Sequence, residues 1–544
     1  MTAPKALDTP YDQPRIFGSA YRTATIGILL VITLIAFEGM SVGVVMPVIS
    51  QQLDALDLYG LSFSAFLIAS LFANVVSGLW SDRRGYTIPF LVGVVLFVVG
   101  MGLAGAASTK VLFLAARAVQ GLGAGCTIVA VYVMIARVYP ADVRPKVFAG
   151  LSAAWVVPAM VGPAVAGFVA DTLGWRWVFF GIIPLVVPAL VMLVPALNKP
   201  AHEPDGPRAS GDADEPHTSG RAAVSHTSEE SAVSRASGDA GVSHTSGHAG
   251  VSRTSGDAGS ADLSGSSGPS GSSSLPGSSG SSGAGGGSVE GARSRPFAMT
   301  VAATASAGGA GVLLYGVDKL HVSPVPSAVA VLVGLVCLGY GLAKLLPPGA
   351  LRFSRGLPTT IMMRGLFSAA FFGVNSFIPL ALQQVKSFGP TAAGIALTTG
   401  ALGWSTGSYL QSRRTVEPHR RIRMGAACVM TGVLLGLLSV LPGVTGWVAV
   451  PAWIVAGFGM GIGMTTVSVT ALKQSPVNEQ GANSAALSVT DMLGSALAVG
   501  LGGALINVIG HSPGMIARGF VVICCLMSAI SLAATLLASR TRSD

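Results

Sequence analysis

Three ionisable side chains lie deep inside long apolar runs of this sequence, where an unpaired charge is costly. They are Glu38, Asp491 and Arg117, and a second arginine, Arg364, lies near the end of another such run. An ionisable residue in these surroundings is a functional candidate by default. A carboxylate there can exchange a proton as its environment changes, because burial favours the neutral form and a neighbouring arginine favours the ionised form. These residue types therefore predict proton transfer, with a static ion pair as the structural alternative.

The composition indicates the medium that surrounds these groups. The chain has 544 residues, 51% of them hydrophobic and 10% charged, and its mean hydropathy is +0.65. Soluble globular proteins carry about 25% charged residues, and a bilayer core of roughly 30 Å needs about 20 apolar residues per helix. Fourteen continuous runs approach that length: 24–48, 60–80, 88–107, 111–136, 147–170, 177–196, 297–317, 325–346, 359–382, 391–410, 424–441, 446–471, 483–508 and 516–538. The sequence predicts an all-α integral membrane protein with fourteen transmembrane helices.

The basic residues predict the orientation of these helices. Inner loops of such proteins are rich in Lys and Arg, and the loops that start at Arg83 and at Arg413 hold several, whereas alternate loops hold at most one. We therefore expect both termini in the cytoplasm and a multi-pass location in the cell inner membrane or plasma membrane. The first run is too long for a cleavable signal peptide and predicts an anchor that stays. The net charge of +9 follows topology, so we expect no nucleic-acid partner.

The stretch 197–296 differs from the rest of the chain in composition. Ser, Gly, Ala and Asp dominate it and large apolar residues are almost absent, so it cannot bury enough surface to fold. We expect a disordered cytoplasmic Ser/Gly-rich linker. Five of the eight histidines lie there, which leaves weak metal binding as the alternative to a plain linker.

The depth of the charged groups predicts which of them can meet. At a rise of about 1.5 Å per residue, Glu38 lies roughly 15 Å from the outer end of the first run, and Arg117 lies roughly 9 Å from the outer end of the fourth. The two can therefore form a pair or share a cavity in the outer half of the membrane. Asp491 lies roughly 12 Å from the inner end of the thirteenth run. For Glu38 the alternatives are proton coupling, static pairing and direct substrate contact; for Asp491 a coupling or substrate-binding role competes with structural hydrogen bonding.

Two short motifs carry a resemblance to a known family. Residues 78–85 read GLWSDRRG and match G-x-L-a-D-r-x-G at Gly78, Asp82, Arg83 and Gly85. Residues 117–124 read RAVQGLGA and match R-x-x-Q-G-x-G-a in full, including Arg117 and Gln120. The chain thus resembles the major facilitator superfamily. In that loop Asp82 can cap or salt-bridge a helix end of the neighbouring bundle, while Arg83 and the turn at Gly85 hold the inner gate.

Two further motifs resemble those of fourteen-span drug:proton antiporters in this superfamily. Gly162, Pro163 and Gly167 are similar to the core of the motif associated with antiporters, and the proline removes one backbone hydrogen bond and allows close packing or a bend. Glu38 precedes Pro47 by nine residues, the spacing of the family's motif in the first span, although glutamate replaces aspartate there.

The resemblance implies two six-helix bundles around a central cavity, with the seventh and eighth spans as an inserted pair. The implied organisation is an N-terminal cytoplasmic segment 1–23, a bundle 24–196, the linker 197–296, the inserted helices 297–346, a second bundle 347–538 and a tail 539–544. Trp155, Trp404 and Asn375 are candidates for lining the substrate cavity.

These features predict a proton-coupled secondary transporter that exports small amphipathic molecules, drugs or secondary metabolites, by alternating access. The alternative is proton-coupled uptake or export of one specific metabolite or nutrient. Residues 39–43 match G-x-S-x-G by letter, but that motif needs a strand–turn–helix setting, and no Walker-type lysine loop is present. We therefore expect no enzyme activity, no cofactor and no metal. The expected partners are the small-molecule substrate, protons and the lipid bilayer, and we expect a monomer.

Overall fold

The structure is a computed structural model that describes residues 16–18, 21–140, 142–197, 289–413, 416–476 and 479–542. In this part of the chain there are α-helices and short 3-10 turns and no strand. The α-helices are α1 (Arg22–Gln52), α2 (Tyr59–Arg84), α3 (Thr87–Gly105), α4 (Lys110–Val138), α5 (Arg144–Thr172), α6 (Arg176–Phe180), α7 (Ile183–Leu197), α8 (Val289–Lys319), α9 (Pro324–Leu345), α10 (Leu357–Asn375), α11 (Ile378–Lys386), α12 (Pro390–Arg413), α13 (Pro418–Leu437), α14 (Ala449–Gln474), α15 (Gln480–Ile509) and α16 (Pro513–Leu537). The predicted all-α membrane fold is confirmed.

The predicted apolar runs correspond to these helices, with two of them broken. The sixth run is split into α6 and α7 at Gly181, and the ninth into α10 and α11 at Ser376. Of the described helical stretches, thirteen are both long enough and apolar enough to cross a membrane. The tenth predicted run, helix α12, is 24 residues long but does not reach that apolarity.

Helix α12 owes its lower apolarity to Ser and Thr, whose hydroxyls bond within the helix. Ser405 Oγ donates to the Ala401 carbonyl at 2.9 Å, and Thr406 Oγ1 donates to the Leu402 carbonyl at 2.8 Å. The helix also packs against α5 and α14. Internal hydrogen bonds and contacts with neighbouring helices compensate for its lower hydrophobicity.

The first half of the molecule, α1–α7, is held together by close helix approach. Helices α2 and α3 both pack on α4, and α1 packs on α5 and α7. A Cβ atom added at Gly121 would collide with the Phe66 carbonyl of α2, and one added at Gly123 would collide with the backbone of Phe97 in α3. Small residues give such contact in lipid, where no hydrophobic force drives helices together.

The second half, α10–α16, is formed by contacts among its own helices. The inserted pair, α8 and α9, contacts both halves through α8. Helix α14 packs on α12 and α13, α15 packs on α10, and α16 packs on α13 and α10. Helix α8 packs along α9, and its other neighbours are α2 of the first half and α15 of the second.

Among the described helices, the two halves meet mainly where α5 packs on α12 and α2 packs on α15, and α1 also contacts α11 and α12. We call the end at which α1 leads into α2 the Asp57 end, and the opposite end, at which α2 leads into α3, the Gly85 end. Near the Asp57 end, Tyr59 Oη donates to the Ser376 carbonyl at 2.8 Å. Gln383 Nε2 donates to the Val44 carbonyl at 2.8 Å. These two hydrogen bonds therefore connect the halves at this end.

The predicted linker 197–296 lies outside the described residues from 198 to 288. Helix α8 begins at Val289, so the last residues of that predicted segment are helical.

Candidate functional site

Glu38 and Arg117, which their depth along the helices predicted to lie near each other, form a buried ion pair. Arg117 of α4 donates from Nη1 to Glu38 Oε1 of α1, and its side chain is 3% exposed while that of Glu38 is 1% exposed. The same Nη1 donates to Gln120 Oε1 at 2.7 Å. Gln120 follows Arg117 by three residues, which places both side chains on one face of α4. The guanidinium carbon also lies 4.6 Å from the centroid of the Phe66 ring.

This pair leaves several polar atoms unsatisfied. Glu38 Oε2, Arg117 Nε, Gln120 Nε2 and Ser41 Oγ are buried and lack a hydrogen-bond partner within the described residues. A buried pair is stable only when its remaining lone pairs and protons are also bonded. The spare acceptor on Glu38 and the spare donors beside it can therefore accommodate a proton, a water molecule or a polar group of a ligand.

A second ion pair, which the sequence did not predict, joins Arg364 of α10 to Asp491 of α15. Arg364 Nε and Nη2 both donate to Asp491 Oδ2, at 3.1 and 2.9 Å. Arg364 Nη1 donates to Ser468 Oγ of α14 at 2.6 Å, and Ser368 Oγ donates to Asp491 Oδ1. Side chains from three helices of the second half, α10, α14 and α15, thus form one hydrogen-bonded network around Asp491.

The two pairs differ in their exposure. The side chains of Arg364 and Asp491 are 26% and 25% exposed, against 3% and 1% for the first pair. Beside Asp491, Met492 Sδ accepts a hydrogen bond from Asn74 Nδ2 of α2 at 3.1 Å, so the second pair lies next to the first half. Exposed charge within a spanning segment almost always faces the bundle interior or a water-filled cavity.

The loop motif that ends α2 has the predicted turn, but Asp82 has no polar partner among the described residues. Gly85 adopts φ = +82° and terminates the helix, a conformation that glycine reaches without strain. Asp82 and Arg83 are exposed, and no hydrogen bond or ion pair of either side chain is found in the described ranges. Gly78 packs toward α4, where an added Cβ would lie 3.8 Å from Val129. The predicted contact of Asp82 with a neighbouring helix end stays a prediction.

The motif in α5 lies where the two halves meet. Added Cβ atoms at Gly167 and at Gly394 of α12 would collide with the Pro390 and Pro163 carbonyls respectively. Beside them, Asp171 Oδ2 accepts hydrogen bonds from the backbone N–H of Thr391, at 3.0 Å, and from its hydroxyl.

Gly162 links this interface to the first ion pair. A Cβ atom added there would lie 3.5 Å from Phe37 Cδ2 and 3.6 Å from Ser41 Oγ. Ser41 lies three residues after Glu38, on the same face of α1. The α5 motif therefore touches the α1 turn that carries the buried carboxylate.

The structure separates the three predicted cavity residues. Trp404 of α12 lies edge-on to Phe371 with ring centroids 5.8 Å apart. Asn375 Oδ1 accepts a hydrogen bond from Trp453 Nε1 at 2.9 Å, and Phe371 stacks on the Trp453 ring at 5.1 Å. Trp404 and Asn375 thus belong to one aromatic cluster of the second half, whereas Trp155 packs against the core of the first half.

A further carboxylate, Asp318, is buried like Glu38 and was not singled out from the sequence. It is 2% exposed at the end of α8, and Asn507 Nδ2 of α15 donates to its Oδ1 at 2.6 Å and to the Asp57 carbonyl at 2.6 Å. Lys319 Nζ lies 3.1 Å from its Oδ2. The described residues hold no cluster of three or more His, Cys, Asp or Glu that could ligate a metal.

Comparison with known proteins gives a consistent family. The family model described as Major Facilitator Superfamily matches residues 28–499. Similar proteins include the multidrug efflux pump SdrM of Staphylococcus aureus, 24% identical over 178 residues that span 33% of this chain and 40% of that protein. The multidrug transporter protein MdtP of Bacillus subtilis is 25% identical over 172 residues, 32% of each chain. The matches to these two relatives thus span less than half of each one's length.

Solved structures of similar fold cover almost the whole chain. A peptide transporter POT in complex with sulfate has a TM-score of 0.59 at 12% identity, covering 95% of this chain and 94% of its own. A bacterial homologue of the human lysosomal transporter Spinster, in an inward-facing and unoccupied conformation, has a TM-score of 0.56 at 14% identity and covers 97% and 99%. At such identity the likeness concerns the fold alone.

Proposed function

Because this chain belongs to the Major Facilitator Superfamily and is a transporter, we propose that it exports small amphipathic molecules in exchange for protons. The observation that carries the proposal is the buried Glu38–Arg117 pair with its unsatisfied atoms. Two relatives of this chain are named as a multidrug efflux pump and a multidrug transporter, which supports export of more than one compound.

The coupling step is the protonation of Glu38. A proton taken up on Oε2, the oxygen without a partner, neutralises the carboxylate and removes its electrostatic attraction to Arg117. The Arg117 guanidinium still donates to Gln120 and still lies over the Phe66 ring, so it keeps two of its contacts. Protonation thus weakens the attachment of α1 to α4, and loss of the proton restores the pair.

The effect of this proton reaches the contact between the halves through α5. Ser41 stands on the Glu38 face of α1 and packs near Gly162, and the Pro163–Gly167 turns of the same helix pack tightly on α12. A shift of α1 therefore acts on α5, the helix that packs on α12 of the other half. Alternating access needs such a link between proton binding and relative movement of the halves.

The Arg364–Asp491 pair is a second coupling or substrate-binding point in the other half. Its exposure gives water and solutes access, and its charges compensate each other, as those of the first pair do. The aromatic cluster around Trp404 and Phe371 offers flat apolar surface to the hydrophobic part of a substrate.

The remaining topology follows the distribution of charge. Both termini lie in the cytoplasm, the Gly85 end is the inner end, and the protein resides in the cell inner membrane or plasma membrane as a monomer. The loop residues Gly78, Asp82, Arg83 and Gly85 form the inner gate, with Asp82 engaging the opposite half when that gate closes. The first half corresponds to residues 24–196 and the second to 347–538, with 297–346 as the inserted pair.

Everted membrane vesicles test the exchange directly. Adding substrate to vesicles that hold a preformed inside-acid gradient should dissipate the gradient as the substrate accumulates. Accumulation that requires the opposite gradient would contradict proton antiport. A panel of toxic compounds, given to cells without their own exporters, separates the two substrate classes: protection against several unrelated compounds supports broad export, and transport of a single nutrient supports the metabolite alternative.

A further inference from the structure

A polar network at the Asp57 end connects the first half, the second half and the inserted pair. Asn507, near the end of α15, donates from Nδ2 to the Asp57 carbonyl at 2.6 Å and to Asp318 Oδ1 at 2.6 Å. Asp57 lies in the 3-10 turn Leu56–Leu58 that precedes α2, and Asp318 is the last residue but one of α8. One amide nitrogen of the second half thus binds a backbone group of the first half and a carboxylate of the inserted pair.

The amide group of Asn507 is held in one orientation. Its nitrogen carries two N–H donors, one for each of these oxygens, and its own oxygen can only accept. His511 Nε2 lies 3.1 Å from Asn507 Oδ1 and donates to it. A half-turn of the amide would place this oxygen against the Asp57 carbonyl and the Asp318 carboxylate, which are both acceptors. The carboxylate of Asp318 therefore orients the donor that reaches the first half.

The two acidic residues of this network keep a lysine partner of their own. Lys319 Nζ, in the same helix as Asp318, lies 3.1 Å from Asp318 Oδ2. Lys110 Nζ of α4 donates to both carboxylate oxygens of Asp57, at 3.1 and 2.9 Å. Separation of Asn507 from either residue breaks no ion pair, whereas loss of one partner from a buried ion pair leaves an uncompensated charge. The contacts of Asn507 are therefore suited to open and close repeatedly.

The network lies where the two halves are in backbone contact. A Cβ atom added at Gly60 of α2 would lie 2.6 Å from Gly503 Cα of α15, and Asn507 follows Gly503 by about one helical turn. Farther toward the Gly85 end, the side chains of Arg364 and Asp491 are 26% and 25% exposed. The halves are thus closed against each other at the Asp57 end.

We propose that Asp318 is a positioning residue of the gate at the Asp57 end. It holds the Asn507 amide in the orientation that connects the halves, and in this way it favours the state in which that end is closed. The inserted pair thereby takes part in gating, through the end of α8. This inference rests on the alternating access proposed above, but it does not depend on the substrate or on proton coupling.

The test measures how readily a water-soluble maleimide reaches two reporter cysteines, each placed in the full chain with its five native cysteines replaced by alanine. The protein is purified and held in lipid nanodiscs. Ser376→Cys reports on the Asp57 end, because Ser376 is 7% exposed and its carbonyl accepts from Tyr59 of the other half. Met492→Cys reports on the partly exposed region around Asp491, where Met492 contacts Asn74 of α2.

Three variants are compared with each reporter. Asp318→Leu removes the acceptor for Asn507, and Asp318→Asn keeps an acceptor at the same position. Gly432→Ala is the control for general loosening, because its added Cβ would lie 2.5 Å from the backbone nitrogen of Ala456, within the second half and outside the network.

We expect Asp318→Leu to raise the labelling rate of Ser376→Cys about tenfold, the effect of losing one hydrogen bond to a charged group, without raising that of Met492→Cys. Asp318→Asn should restore most of the difference, and Gly432→Ala should leave the ratio of the two rates unchanged. Should Asp318→Leu fail to fold, Asn507→Ala gives the same comparison, because it removes the bridging amide and leaves both lysine pairs in place.

An unchanged labelling rate of Ser376→Cys, or an equal rise at both reporters, would overturn the proposal. The measurement uses neither substrate nor a proton gradient. A failure of proton antiport would therefore contradict the proposed function and leave this result intact.

Discussion

Arg364 holds Asp491 by two N–H groups that donate to the same carboxylate oxygen, at 3.1 and 2.9 Å. The other oxygen of Asp491 is held by Ser368, so the carboxylate is bonded on both sides although a quarter of its side chain is exposed. Partial exposure together with full bonding distinguishes this pair from Glu38–Arg117, which is buried and incompletely bonded. The two halves thus present two different environments to a proton.

Asp491→Asn should lower proton-driven transport roughly tenfold or more, because it removes an ionised hydrogen-bond partner that contributes about 1.5–3 kcal/mol and leaves Arg364 uncompensated. Transport rates in everted vesicles measure the effect. Asp142→Asn is the control, since Asp142 is exposed in the loop before α5 and should transport at the wild-type rate. Equal rates for Asp491→Asn and the control would remove Asp491 from the mechanism.

Glu38→Gln should abolish proton-driven transport while substrate binding stays measurable. The amide retains an acceptor for Arg117 but cannot ionise, so the cycle lacks its titrating group. Substrate binding to the purified variant and gradient-driven accumulation in vesicles give the two readouts.

Glu38→Ala tests the same residue by stability. It leaves the Arg117 charge buried without its partner and should cost about 3–5 kcal/mol of unfolding free energy, whereas the glutamine variant should lose much less. Similar melting temperatures for the two variants would contradict the ion pair, and unchanged proton-coupled transport by the glutamine variant would exclude coupling at Glu38.

Gly394→Ala should impair transport by forcing α12 away from α5. The added methyl group would collide with the Pro163 carbonyl, and overpacking of this kind typically costs about 1–3 kcal/mol. Gly102→Ala is the matched control, because a Cβ atom there has nothing within 4 Å. The ratio of transport rate to the amount of folded protein separates the two; a wild-type ratio for Gly394→Ala would show that this close approach is dispensable.

Asp318→Leu should destabilise the chain by leaving Asn507 without one of its two acceptors. Loss of a buried partner costs about 1–3 kcal/mol, which a thermal unfolding experiment on purified protein can resolve. Asp318→Asn, which keeps an acceptor at the same position, should recover part of the loss. Identical unfolding curves for the wild-type chain and Asp318→Leu would contradict a structural role.

Deletion of residues 205–286 should leave transport largely intact, because the sequence of that stretch lacks the apolar residues needed to form a core. Transport per amount of protein in the membrane is the measurement. Loss of transport at unchanged expression would show that the deleted segment has a role in transport.

The amino-acid sequence predicts those features that depend on a single helix. Apolar runs of about 20 residues predicted the helices, and the depth of Glu38 and Arg117 along their own helices allowed the contact that the structure contains. An apolar run does not show how its helix is rotated relative to the neighbouring helices. Arg364, which lies near the start of its helix, therefore gave no indication that it faces Asp491, and Asp318 gave none that it turns inward at the end of α8.

Helix α8 leans on α2 of one half and on α15 of the other, while α9 has α8 as its main neighbour. Helix α8 thus contacts a helix of each half at once. If the halves move relative to each other, as proposed above, the inserted pair cannot keep both of these contacts unchanged, so at least one of them must rearrange during transport.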